Sequence, residues 1–253
     1  MPYSVMLDAG HGGSDPGAVY NGRQEKDDTL RLTLAVGEIL QNNGIDVEYT
    51  RTTDVYESPF EKAMEANNAG ADFFVSIHRN SFPTDNQVMG VESLVYDLSG
   101  IKYEMAQNID EQLESVGFVD LGVKARPNLV VLKRTNMPSV LVEAGFINSD
   151  TDNQLFDDNF QDIAEAIARG ILDTLSNIGA VRENYYRVQV GLYRNNRNAE
   201  RLLDELLAQD FPAYIDNAGE FIRVLVGGYD SLNDAAAMEQ RLRQAGYDTV
   251  IVS

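Results

Sequence analysis

The chain has no cysteine, only two histidines, and half as many basic as acidic residues, 20 against 40, for a formal net charge of −20. Without cysteine there are neither disulfides nor thiolate metal sites, so a metal can be held only by histidine and carboxylates. So negative a field repels a polyanion, which sets nucleic-acid binding aside. Long apolar runs are also missing: none approaches the roughly 20 residues of a spanning helix, so no membrane span is expected. No basic stretch followed by a short apolar run precedes the first strand pattern, so no secretory signal is visible.

What is present reads as globular. Hydrophobic residues make up 43% and charged residues 24% of 253, enough apolar surface to offset the entropy of folding. Strand patterns at 3–8, 47–50, 73–78, 91–96, 129–132 and 140–143 alternate with helix patterns at 25–42, 59–69, 101–116 and 151–175. Alternation of this kind predicts an α/β domain over 1–177, a mostly parallel twisted sheet with helices on both faces. After a connection at 178–184, the segment 185–253 repeats itself. Arg187-Val188-Gln189-Val190-Gly191 aligns with Arg223-Val224-Leu225-Val226-Gly227, and Ala199, Leu202, Leu206 and Phe211 fall on Ala235, Met238, Leu242 and Tyr247. Such a duplication predicts a small βαββαβ, ferredoxin-like α+β domain: a four-stranded antiparallel sheet with two helices on one face.

Both histidines stand where strand patterns end: His11 within D-A-G-H-G-G-S-D-P-G-A, and His78 after Phe73-Phe74-Val75-Ser76-Ile77. Glu143 ends a third. In an open parallel sheet ligands bind beyond the carboxyl ends of the strands, so these groups share one edge. Zinc hydrolases typically use three protein ligands, and the third here has to be a carboxylate. Glu25 is the first choice, because a turn through Asn21-Gly22 can return it to that edge; Asp8, Asp15, Asp27 and Asp28 are rivals. Glu143 is suited to general acid/base work, since an apolar strand ending in an unpaired carboxylate is costly. Glu92 competes with it, and Asn80 adds a polar group beyond His78.

The run D-A-G-H-G-G-S-D-P-G-A, the glutamate of R-Q-E-K-D-D-T-L, S-I-H-R-N-S and V-E-A-G-F-I-N-S resemble, in order and spacing, the zinc-dependent N-acetylmuramoyl-L-alanine amidases of the amidase-3 type. The resemblance implies Zn²⁺ held by His11, Glu25 and His78, Glu143 as acid/base, and cleavage between the muramic acid lactyl group and L-alanine of the stem peptide in peptidoglycan. The family often has arginine in a V-L-R segment where this chain reads Val131-Leu132-Lys133-Arg134, so Lys133 or Arg134 is expected to hold a substrate carboxylate. Action at the wall from outside would follow if a leader is removed; otherwise the protein stays in the cytoplasm until lysis or another route of export. Other classes compatible with the residues are a zinc peptidase acting on a different amide and a wall-binding protein without catalysis.

Residues 185–253 resemble a SPOR domain, which implies binding of glycan strands stripped of stem peptides. Strand alternation puts Tyr186, Val188, Val190 and Leu192 on one face and Tyr185, Arg187, Gln189 and Tyr193 on the other. In the second repeat Ile222, Val224 and Val226 are expected under the helices, with Phe221, Arg223, Leu225 and Tyr229 outward. Arg187, Gln189, Tyr193, Arg223 and Tyr229 are accordingly the expected glycan-binding groups.

Overall fold

A computed structural model describes residues 3–184, 186–218, 221–229 and 231–252. They form two compact units, Met1–Ser176 and Asn177–Ser253. The first begins with β1 (Ser4–Ala9), a hairpin of β2 (Val19–Tyr20) and β3 (Arg23–Gln24), α1 (Glu25–Asn42), β4 (Asp46–Tyr49), α2 (Pro59–Ala69) and β5 (Phe73–Asn80). Then follow β6 (Glu92–Val95), α3 (Gly100–Val116), β7 (Lys124–Ala125), α4 (Val130–Arg134), β8 (Ser139–Phe146), α5 (Asp150–Asp158) and α6 (Phe160–Asn184). Six strands make one sheet in the order β4-β1-β5-β8-β6-β7. Every neighbouring pair is parallel except β6 and β8.

β1, β5 and β8 occupy the middle of the sheet because they are apolar on both faces: Val5, Leu7, Phe74, Val75, Ile77, Val140 and Val142 are all buried. Parallel register places Asp8 beside Ser76, Ala9 beside Ile77, and His78 beside Glu143. The carboxyl ends of these strands are thereby brought to one edge. β6 runs the other way, so its first residue, Glu92, pairs with Glu143 at that same edge. α2 starts where the sequence says it should: Ser58 and Glu61 form a reciprocal capping box, Pro59 opens the first turn, and Gly70 closes the helix at φ 72°.

Two expectations change. Residues 129–132 are not a strand. Lys133 N–H donates to the Leu129 carbonyl, and α4 turns Val131 and Leu132 into a core shared with Met6, Ala66, Phe74 and Leu141. A four-residue apolar run has no period of its own to tell helix from strand. The last helix is two: α5, capped by Ser149, ends at Asn159, and α6 continues through the expected connection at 178–184 as far as Asn184.

The second unit contains β9 (Tyr186–Tyr193), α7 (Asn196–Leu207), β10 (Ala213–Ala218), β11 (Phe221–Tyr229), α8 (Leu232–Gln244) and β12 (Val250–Val252). Its sheet runs β10-β11-β9-β12 and is antiparallel throughout. Val188, Val224 and Val226 pack with Leu202, Leu206, Met238 and Leu242 of the two helices, as the repeat predicts. The outer face is altered by two irregularities. Gly191 pairs with Val224 but Gln189 with Leu225, and Val188 pairs with Val226 but Tyr186 with Tyr229. Each inserts one extra residue, and a one-residue slip exchanges faces. Tyr193 and Tyr229, expected outward, therefore pack against the helix-side core. Leu192, expected inward, is 50% exposed. Tyr185 lies outside the described residues.

Candidate metal centre

The local chain builds the site from three strand ends and one hairpin. His11 follows β1 with φ 60°, a left-handed conformation uncommon outside glycine. The loop is held there by Arg51, which donates to the Ala9 and Gly10 carbonyls, and by Lys62, whose ammonium donates to the Ala9 carbonyl at 2.6 Å. The β2–β3 hairpin turns at Asn21 (φ 50°) and Gly22 (φ 84°). That turn delivers Glu25 to the edge, where its backbone N–H donates to the Ala18 carbonyl.

Glu25 is buried and lies between the two imidazoles. Its Oε1 is 2.9 Å from His78 Nδ1, and its Oε2 is 3.1 Å from His11 Nε2. Ala18 N–H and Arg79 N–H donate to the same carboxylate. The two rings stand edge to face, 5.0 Å between centroids. One ligand atom from each of His11, Glu25 and His78 lies within 4.8 Å of the others, the one such grouping among the described residues. Two close approaches depend on glycine: a Cβ on Gly10 would strike the His78 ring at 2.5 Å, and one on Gly17 would meet Glu25 Oε2 and His11 Cδ2 at 2.6 Å.

This donor set fits a divalent metal. Asp15 Oδ2 is 2.8 Å from His11 Nδ1, so the ring presents Nε2 inward, and a carboxylate on the far nitrogen is the usual outer partner of a ligating histidine. Burial disfavours a charged His11, but Glu25 and Asp15 outweigh it and push its pKa up to about 9. His78 is likewise raised, burial being overcome by Glu25. Glu25 itself is held below the carboxylate range: burial opposes its charge, but both histidines favour it more. Three polar groups so converged gain from a shared cation.

Glu143 stands apart from this cluster. Its Oε2 is buried and has no hydrogen-bond partner among the described residues, and burial pushes its pKa up to about 7, with His78 opposing and Glu25 and Glu92 adding to the rise. Glu92 is occupied, by Asn80 Nδ2 at 2.8 Å and by the Lys124 ammonium. The rival ligands are occupied too. Asp8 binds Lys62, Thr50 and Ser76; Asp28 binds Arg23, Arg31 and Arg79; Asp27 is exposed.

A cavity of 260 Å³ beside His11 and His78 is lined by Asp8, Asp15, Glu57, Lys62, Asn128 and the apolar groups of Pro59, Val130 and Leu141. Lys133 lines a separate 490 Å³ cavity with Tyr96, Lys102 and Ser139, at the opposite end of β8. Arg134 is exposed, its carbonyl accepting from Asn67. Neither is brought to the histidines. Sequence reasoning missed Lys62 and Glu57. For Lys62 a signal existed: it lies on the buried side of α2 with Ala63 and Ala66.

The family profile for N-acetylmuramoyl-L-alanine amidase matches residues 5–173. The chain belongs to this amidase family. A SPOR domain profile matches residues 183–253. Among relatives of the enzyme, the sporulation-specific N-acetylmuramoyl-L-alanine amidase of Bacillus subtilis (strain 168) is 37% identical over 217 residues, covering 83% of each chain. The N-acetylmuramoyl-L-alanine amidase CwlM of Bacillus licheniformis is 34% identical over 218 residues, with the same coverage. Among solved structures, the amidase from Clostridium difficile 630 superposes with a TM-score of 0.65 at 34% identity, covering 69% of this chain and 97% of that one. The catalytic domain of CwlV from Bacillus (Paenibacillus) polymyxa var. colistinus does so with a TM-score of 0.64 at 31% identity, covering 69% and 98%.

Proposed function

We propose that the enzyme cleaves the amide between N-acetylmuramic acid and L-alanine of the stem peptide in the cell wall, with Zn²⁺ held by His11, Glu25 and His78 and with Glu143 as general acid/base. The observation that carries this reading is the pairing of three converged ligand groups with one buried carboxyl that has an unpartnered oxygen and a pKa of about 7. When bound, the metal supplies a Lewis acid that polarises the amide carbonyl and acidifies water. Glu143 Oε2 takes a proton from the attacking water and returns it to the departing alanine nitrogen, work for which a pKa near the operating pH is best suited. Asp15 keeps His11 in one tautomer, and Arg51 and Lys62 hold the loop that carries it.

The SPOR domain binds denuded glycan through the sheet face away from its helices. Gln189 and Arg223 supply donors there; Arg187 lies on the same strand as Gln189 with the same parity. Asp216 holds the Arg223 guanidinium, with Nε–H donating at 2.9 Å. Tyr193 and Tyr229 belong to the core instead and are not part of this surface.

Elemental analysis together with amine release from purified wall tests the catalytic reading. Bound zinc near one per chain and new amino-terminal alanine are expected. Peptides lacking muramic acid should survive; their cleavage would make the enzyme a peptidase of another class, and zinc retained by His11→Ala/His78→Ala would overturn the ligand assignment.

A further inference from the structure

Beside the reacting groups lies a carboxylate for which catalysis has no use. Glu57 immediately precedes the cap of α2, and it lines the 260 Å³ cavity together with His11 and His78. Its Oε2 is buried and accepts no hydrogen bond from the described residues. A buried acceptor left unpaired is costly, more so when ionised, and asks for a donor.

Among the described residues none is supplied. Lys62 is the nearest candidate, but its ammonium is taken by Asp8 Oδ1 at 2.7 Å and by the Ala9 and His11 carbonyls. Arg51 is spent on the carbonyls of Ala9, Gly10, Lys26 and Thr53. Burial raises the Glu57 carboxyl, and Glu65, Asp8 and Glu61 raise it further, with Lys62 only partly offsetting them. A cation arriving from outside would meet a negative field. Beside the polar groups of Asp8, Asp15, Lys62, Asn128 and the two histidines, that lining has an apolar wall of Pro59, Leu129, Val130, Val131 and Leu141. Glu57 is also placed rigidly, because the capping box fixes Ser58, with its N–H donating to Glu61 Oε2 at 2.8 Å.

An undonated carboxylate oxygen next to an apolar wall suits an ammonium at the end of an aliphatic side chain, its methylenes on the wall and its charge on the carboxylate. A sphere of the cavity's volume is about 8 Å across, or two to three residues of extended chain. We propose that Glu57 determines specificity by binding a primary ammonium on an aliphatic side chain of the peptide arm, two to three residues from the scissile amide. This rests on His11, Glu25 and His78 being the reaction centre.

The test uses the full chain and two synthetic muramoyl tripeptides that differ only in the third residue, lysine or Nε-acetyl-lysine. The wild type is expected to prefer lysine by about tenfold in kcat/KM. In both Glu57→Gln and Glu57→Leu that ratio falls towards one, while melting temperature and zinc content remain those of the wild type. Equal rates on the two peptides in the wild type, or a preference that survives in both variants, would overturn the proposal. If the wild type cleaves neither peptide and frees no amino-terminal alanine from whole wall, the reaction-centre reading fails instead, so the two failures are told apart.

Discussion

The two units carry their polar groups on strands in different ways. In the first, His11 stands just beyond β1 and His78 and Glu143 lie in the carboxyl-terminal halves of β5 and β8, where the parallel register gathers them. In the second, Gln189 and Arg223 lie along strands, and what they face depends on the parity of every residue before them. A strand end tolerates a slip of one residue with little change of position, whereas a strand face does not tolerate it at all. A site at strand ends is therefore robust to bulges, and a site on a face is defined by them.

The sharpest break between the units should come at Glu143. Glu143→Gln is expected to keep zinc and fold yet lose amidase activity by about 10²–10⁴-fold, with glycan pull-down through the second unit undiminished. If the variant remains active and Glu92→Gln is dead, the two carboxylates exchange roles.

Next in size is the buried pair under the histidine edge. Lys62→Met leaves Asp8 ionised and uncompensated, and loss of one partner of such a pair costs about 3–5 kcal/mol. Two-transition calorimetry should show the first unit destabilised and the second unmoved; an unchanged first transition would mean that Thr50 and Ser76 suffice to hold Asp8.

One pH effect belongs to the first unit. Burial raises Asp110 to about 7, with Ser93 opposing and Asp120 and Glu92 adding to it. A carboxyl whose folded pKa lies above its unfolded value contributes stability that is full below about pH 4 and is lost as pH rises towards about 7. The limiting slope is about 1.4 kcal/mol per pH unit for one proton. Asp110→Asn should make stability fall less steeply with pH in that window, the raised Glu143 carboxyl keeping its own share, and a variant with the wild-type slope would remove Asp110 as a source.

The smallest effects test the bulges. Tyr193→Ala and Tyr229→Ala should each destabilise the second unit by about 1–3 kcal/mol, because both rings pack against its core. Gln189→Ala and Arg223→Ala should reduce glycan retention with little change in melting. The reverse pattern would return the tyrosines to the outer face.

Much of this was legible in the sequence, for reasons particular to each element. The helix pattern at 59–69, the Asn21-Gly22 turn and the apolar central strands are local signals, and each formed where it was read. Fold class and family followed from them. Residues 129–132 carried no period, so α4 was mistaken for a strand. The bulges at Val190 and beyond Val226 have no sequence mark that alternation can detect, and they moved Tyr193 and Tyr229. The Asp8–Lys62 pair joins residues far apart in the chain, and Glu57 becomes notable only when its oxygen is seen to lack a partner. Asp15, weighed as a ligand, serves the histidine beside it.

The reversed direction of β6 has a consequence for how this enzyme can vary. β5 leaves the sheet at Asn80 and β6 enters it at Glu92, both on the histidine edge, so residues 81–91 begin and end beside the site without crossing the molecule. Phe82 and Met89 are exposed there, and Asn86 is tied to Asp150. Doubling a loop's length costs only about 0.6 kcal/mol in closure entropy. New chain can therefore be spliced into this segment with the strand order intact, which makes it a ready position for grafting a reporter or a second wall-recognition peptide over the entrance.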